Sequence, residues 1–143
     1  MLNPSGVFLD TSGWIALLDD DDELHAQAAA CLDDIGAARR IVLTTDWVVA
    51  ETGNSLARVR ARSRFAGAVE RFLASPKGRL IRVDRDLFQE ALDLYDHAAD
   101  KSWGLIDCAS FAVMRHENIL DALTYDRHFQ QAGFQPLLAV RPR

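Results

Sequence analysis

The sequence predicts an α/β domain of three layers, α/β/α, around a central, mostly parallel five-stranded sheet. Short apolar runs alternate with longer segments of 3.6-residue period along the chain, which is the pattern of successive βαβ units. Hydrophobic residues make up 49% and charged residues 26%, enough to build a packed core and too apolar for a disordered chain. The 143 residues fit one domain, 1–143, by the usual span of roughly 100–200 residues per domain. No repeat or low-complexity linker divides them.

Val7-Phe8-Leu9-Asp10 reads as the first buried strand. A short helix from Ser12 to Leu18 follows, then a second from Glu23 to Ile35. Ile41-Val42-Leu43 is the next strand, and Thr45 offers an N-cap with Asp46 in the first turn of a helix reaching Arg62. Ser63 to Leu73 continues as a further helix, stopped by Ser75-Pro76-Lys77-Gly78. Leu80 to Val83 is a strand, and Asp84 to Ala99 an amphipathic helix. A helix from Gly104 to His116 leads into strand Ala122-Leu123-Thr124. A short helix holding Phe129 ends near Gly133, and Leu137 to Val140 closes the sheet.

Sixteen Lys+Arg against 21 Asp+Glu give a net charge of −5 and a pI near 5.3. A generic basic coat for nucleic acid, expected above about pI 9, is disfavoured. The total hides a segregation. Residues 1–51 carry ten acids and two arginines (−8), residues 52–85 nine cations and two acids (+7), and residues 86–143 nine acids and five cations (−4). Cys31 and Cys108 lie in apolar helical patterns and read as reduced thiols rather than a disulfide framework. No run of 18 apolar residues predicts a membrane span. The N-terminal segment has no basic n-region and is interrupted by Asp10, unlike a signal peptide. A soluble, cytoplasmic protein is expected.

In an open parallel sheet, chemistry collects at the carboxyl ends of strands. Asp10 ends the first strand, and Asp126 follows Thr124 by two residues. Glu51 falls within a helical turn of Trp47, Val48, Asn54 and Ser55, on a partly apolar face. Asp107 is the one charge in an otherwise apolar helix before Arg115. Buried carboxylates without a counter-charge are costly, so each calls for an arginine, a proton or a metal. Singly, each has an ordinary reading: Asp10 as a helix cap, Asp107 at a helix N-terminus, Glu51 paired with an arginine such as Arg58. Four such acids aimed at one crevice make a more unusual set.

Four oxygen donors without clustered His and Cys suit a hard cation, Mg²⁺ with Mn²⁺ as substitute, better than zinc. His25, His97, His116 and His128 are scattered, and only His128, two residues after Asp126, is kept as a candidate to support the acids. Neither G-x-x-x-x-G-K-[ST] nor G-x-G-x-x-G occurs.

Four ordered segments resemble those of PIN-domain ribonucleases: Phe8-Leu9-Asp10-Thr11-Ser12, Val49-Ala50-Glu51-Thr52, Asp107-Cys108-Ala109-Ser110-Phe111, and Leu123-Thr124-Tyr125-Asp126-Arg127-His128-Phe129. The likeness spans residues 7 to about 138. It implies a PIN-like fold and a Mg²⁺-dependent endoribonuclease, most often the toxin of a VapC-type toxin–antitoxin pair. By position, Asp10, Glu51, Asp107 and Asp126 match the catalytic, metal-holding quartet, with Thr11, Ser12, Asn54 and Thr124 as polar supports. Gly104 and Ile106 depart from the pattern, standing where many relatives carry hydroxyl residues.

The implied reaction is hydrolysis by a metal-activated water in line with the leaving 3′-oxygen, giving a 5′-phosphate. Glu51 or Asp107 would take the proton. Arg58, Arg60, Arg62 and Arg64, spread around a helix, are candidates to track the RNA backbone. The expected partners are RNA, a small antitoxin and a second copy of the chain. Apolar helix faces at Trp14, Leu17 and Phe65 would form the protein contacts, with core packing as the alternative. A housekeeping RNA-processing nuclease and a catalytically idle PIN-like binding module are the competing readings. A phospho-acceptor receiver domain needs a second acid beside Asp10 and a late lysine, and a haloacid-dehalogenase-type phosphatase needs D-x-D; Asp10-Thr11-Ser12 supplies neither second acid.

Overall fold

Val7, Phe8 and Leu9 are buried, and the strand they form, β1 (Gly6–Leu9), lies at the centre of the sheet. The computed structural model describes residues 2–139. After β1 come α1 (Thr11–Leu18), α2 (His25–Ala37), β2 (Ile41–Thr45), α3 (Asp46–Ser55), α4 (Arg62–Ala74) and β3 (Gly78–Ile81). The chain then forms α5 (Arg85–His97), α6 (Leu105–His116), β4 (Asp121–Leu123), α7 (Arg127–Gln131) and β5 (Gln135–Pro136). The sheet order is β3-β2-β1-β4-β5 and every pairing is parallel.

This order places the site. From β1 the chain moves outward to β2 and β3, then returns to β4 on the other side of β1. The reversal lies between β1 and β4, so a crevice opens beyond their carboxyl ends. Asp10 directly follows β1, and Thr124 to Asp126 directly follow β4. Gly13 lets α1 press against this junction: a Cβ there would lie 2.1 Å from the Leu123 carbonyl oxygen.

Phe8 faces α6 and α7, where Phe129 lies 6.3 Å away between ring centroids. Phe111 links this cluster, edge-on to Phe129 at 5.0 Å and to Trp103 at 5.1 Å. These rings brace the two helices whose N-termini carry Asp107 and Asp126. On the other face Leu9, Trp14 and Val42 line an apolar groove among α1, α2 and α4, of about 860 Å³.

Several boundaries differ from the sequence reading. α3 ends at Ser55 rather than Arg62. Asn54 and Ser55 are weak helix formers, and the buried side chains of Leu56 and Ala61 pin the turns between them. β3 begins at Gly78, two residues early, because only glycine fits: a Cβ would meet the Phe72 carbonyl oxygen at 2.5 Å. β5 is Gln135–Pro136 rather than Leu137–Val140. Proline is tolerated because β5 is an edge strand, and the neighbouring amides of Gln135 and Leu137 bond Leu120 and Ala122 carbonyls. Val140 lies outside the described residues. Thr45 caps α3 as expected, its hydroxyl accepting the Val48 N–H at 3.1 Å.

Among the described residues no helix is long and apolar enough to cross a membrane. Cys31 and Cys108 are both free thiols; burial pushes both thiol pKa values up.

Candidate active site

Asp10 occupies the N-cap position of α1, but its side chain does not cap the helix. It is 5% exposed and turns toward β4, where Oδ2 accepts the Thr124 hydroxyl at 2.8 Å. Because that proton goes to Asp10, the 2.8 Å contact between Ser12 Oγ and Thr124 Oγ1 has serine as the donor. The Asp126 and Tyr125 amides bond Thr124 Oγ1 and Ser12 Oγ at 3.0 and 3.1 Å. Ser12 and Thr124 thus tie the end of β4 to the start of α1 and hold one face of Asp10.

Asp107 sits in the first turn of α6. Its Oδ2 accepts the Gly104 N–H at 3.1 Å and lies 3.0 Å from His128 Nδ1. Asp126 caps α7, Oδ1 accepting the His128 amide at 2.8 Å and lying 3.4 Å from its Nδ1. Asp107, Asp126 and His128 therefore offer three ligand atoms within 4.8 Å of one another, all half-buried. Glu51, on α3, stands apart from that trio; its Oε1 accepts the Thr11 hydroxyl at 2.6 Å. Thr11 follows Asp10 in the chain, so one residue couples the glutamate to the aspartate cluster.

Electrostatics join the parts. Burial, then the charge of Asp107, raise the Asp10 pKa from 3.8 to about 7, with a smaller push from Asp126. The Thr124 hydroxyl and Thr11 amide oppose this without overcoming it. Burial also raises Asp107, with the Gly104 amide working against it and Asp126 adding to it. His128 also works against the rise of Asp107, but among the described residues no arginine or lysine pairs with these carboxylates. A hard divalent ion fits that deficit and the donor set: carboxylate oxygens with one imidazole nitrogen, at separations a single ion can span.

The supporting residues divide. Thr11, Ser12 and Thr124 bond site groups, whereas Asn54 is exposed on the last turn of α3 and, among the described residues, bonds none of the four acids. The four arginines do not share a helix. Arg58 and Arg60 lie exposed in the turns after α3, Arg62 bonds the Ala57 carbonyl, and Arg64 bonds the Leu18 carbonyl and the Asp20 carboxylate, both at 2.9 Å. Trp14 is 4% exposed and edge-on to Phe72, so it belongs to the core rather than to a docking face. The sequence reading missed Ser102, whose Oγ lies 3.1 Å from His128 Nε2. Its only signal was position, in the loop before Asp107.

The chain belongs to the PIN-domain family, whose model matches residues 7–135. Over 136 residues it is 32% identical to the 23S rRNA-specific endonuclease VapC20 of Mycobacterium tuberculosis, in strains CDC 1551 and H37Rv alike. That match covers 95% of this chain and 98% of the relative. The crystal structure of M. tuberculosis VapC20, described as a sarcin–ricin-loop-cleaving toxin, superposes with a TM-score of 0.79 at 30% identity. It covers 92% of this chain and 98% of that one.

Proposed function

We propose that the protein is a divalent-metal-dependent endoribonuclease, the toxin of a toxin–antitoxin pair, with structured ribosomal RNA as substrate class. The observation that carries the reading is the convergence of Asp10, Asp107 and Asp126 at the β1–β4 switch point, with Glu51 tied in through Thr11. Similarity to VapC20 along nearly the whole chain supports the substrate class and the toxin role.

Asp10, Glu51, Asp107 and Asp126 would hold the ion, Mg²⁺ or Mn²⁺. When bound it supplies Lewis-acid activation of water and offsets charge on the phosphate. Glu51, whose Oε1 accepts the Thr11 hydroxyl, or Asp107 would take the water's proton. The new P–O bond would form as the bond from phosphorus to the 3′-oxygen breaks, and the departing 3′-oxygen would take a proton from solvent water, leaving a 5′-phosphate and a 3′-hydroxyl. Thr124 and Ser12 hold Asp10, and the Gly104 amide holds Asp107, so the acids need little rearrangement. Of the four arginines, Arg58 and Arg60 are exposed and have no side-chain bond among the described residues, so they would be available to RNA phosphates.

The antitoxin and a homodimeric state belong to the same proposal. The groove of Leu17, Leu32 and Phe72, rimmed by Arg39, Arg71 and Lys77, suits an amphipathic segment carrying acidic residues. Primer extension on 23S ribosomal RNA incubated with protein and Mg²⁺ tests the function. Discrete cuts that disappear with Asp126→Asn support it. Binding without cutting, under conditions that support wild-type folding, would favour the idle module instead.

A further inference from the structure

We infer that His128 is itself a metal ligand, binding through Nδ1, and that it tilts the site toward Mn²⁺ over Mg²⁺. The inference rests on the metal-dependent reading above and concerns a residue outside the acidic quartet. His128 Nδ1 lies 3.0 Å from Asp107 Oδ2 and 3.4 Å from Asp126 Oδ1. Adjacent ligands of an octahedral ion with bonds of about 2.1 Å stand about 3.0 Å apart, so the two distances from Nδ1 are close to two edges of one face of such a shell.

The far side of the ring supports this. Nε2 is 3.1 Å from Ser102 Oγ, and with the proton on Nε2 the serine accepts it, leaving the Nδ1 lone pair directed at the two carboxylates. In the metal-free chain the same contact is a hydrogen bond from Nδ1 to Asp107 Oδ2, and an ion among the three atoms takes that proton's place. Ser102 then plays the part usual for the outer partner of a ligating histidine: it fixes tautomer and ring orientation. The ring is also anchored through its backbone, whose amide caps onto Asp126, and by the buried neighbour Phe129.

The identity of the donors sets the preference. Mg²⁺ favours oxygen ligands and retained water, whereas first-row transition ions accept imidazole nitrogen readily. The other three histidines are committed elsewhere: His25 to the Ala16 carbonyl and Asp20, His97 to the Asp93 carbonyl, His116 to Glu90. A nitrogen signal at the bound ion therefore reports His128.

The test is pulsed electron paramagnetic resonance on the full chain loaded with one equivalent of Mn²⁺. The expected result is ¹⁴N modulation that converts to a ¹⁵N pattern when histidine alone is ¹⁵N-labelled, and that vanishes in His128→Ala. Calorimetry should show Mn²⁺ binding at least 10-fold tighter than Mg²⁺, with His128→Ala weakening Mn²⁺ at least 10-fold and Mg²⁺ less. Mn²⁺ that binds, is displaced by Mg²⁺ and is lost with Asp126→Asn, yet shows no histidine nitrogen, overturns the inference while leaving the metal site standing. Absence of Mn²⁺ and Mg²⁺ binding altogether overturns both. Isotope labelling of the unmutated protein keeps the test valid even if a variant folds poorly.

Discussion

Replacing Asp10 with Asn should stabilise the metal-free protein at alkaline pH while destroying its activity. In the folded chain Asp10 keeps its proton up to about pH 7, because burial and the nearby Asp107 charge disfavour the anion. In the unfolded chain it ionises near its ordinary value of 3.8. Between these limits the native state binds more protons, so this group's contribution to stability is full below the lower value and is lost as pH rises to the upper. Above pH 5 the remaining loss amounts to about two pH units at 1.36 kcal/mol each, about 2.7 kcal/mol, and it is nearly complete by pH 8. Asparagine never ionises and its carboxamide oxygen still accepts the Thr124 hydroxyl, so it lacks this slope. Urea unfolding in EDTA at pH 5 and pH 8, for wild type and Asp10→Asn, isolates the effect because other acids contribute to both proteins. The stability gap in favour of Asp10→Asn should widen by about 2–3 kcal/mol toward pH 8. A gap that does not change with pH would refute the claim that Asp10 is held as an uncompensated buried acid.

Three further perturbations separate positioning from folding and from RNA attraction. Thr11→Val removes the 2.6 Å hydrogen bond to Glu51 and should lower single-turnover cleavage about 10–100-fold, with thermal stability little changed. Gly13→Ala would force a Cβ to 2.1 Å from the Leu123 carbonyl; separating α1 from β4 should cost about 3 kcal/mol or more in urea unfolding. Arg58→Ala and Arg60→Ala should each weaken RNA binding and reduce the slope of log affinity against log salt by about 1, with the metal affinity unchanged. An unaltered salt slope would place the RNA path elsewhere.

Much of the fold was legible because the buried strands are short and continuous in the sequence. Val7-Phe8-Leu9 and Ala122-Leu123 have no other plausible use, and Thr45 announces its helix through its cap. The misplaced boundaries share a physical origin: they were set by tertiary contact rather than local propensity. Gly78 is a strand residue because Phe72 leaves room for nothing larger, and Pro136 is admissible only because β5 is at the edge. The end of α3 depends on Leu56 and Ala61 being drawn into the core.

The site was partly legible for the same reason. Asp10 and Asp126 stand where strands end, so topology alone brings them together. Asp107 betrayed itself as a lone acid in an apolar helix. The coupling of Glu51 through Thr11 and the bracketing of His128 by Ser102 and two carboxylates span 40, 26 and 21 residues or only two. Such partners leave no periodic trace, and a single histidine beside an acid is indistinguishable from a surface one until the loop before α6 is placed. The arginine series misled for a related reason: even spacing suggested a helix surface, whereas the structure divides the four between a turn and α4 and spends Arg64 on Asp20.

On the proposed function, carboxylates gathered at the β1–β4 switch point hold the metal that cuts RNA. The direct measurement is single-turnover cleavage of a ribosomal stem-loop RNA, end-labelled, in Mg²⁺, in EDTA, and with Asp10→Asn in Mg²⁺. Wild type should cut at defined positions in Mg²⁺ and leave 5′-phosphate ends, stop in EDTA, and recover when Mg²⁺ or Mn²⁺ is restored, while Asp10→Asn stays inactive throughout. Cleavage that persists in EDTA, or that survives Asp10→Asn at the wild-type rate, would contradict the account.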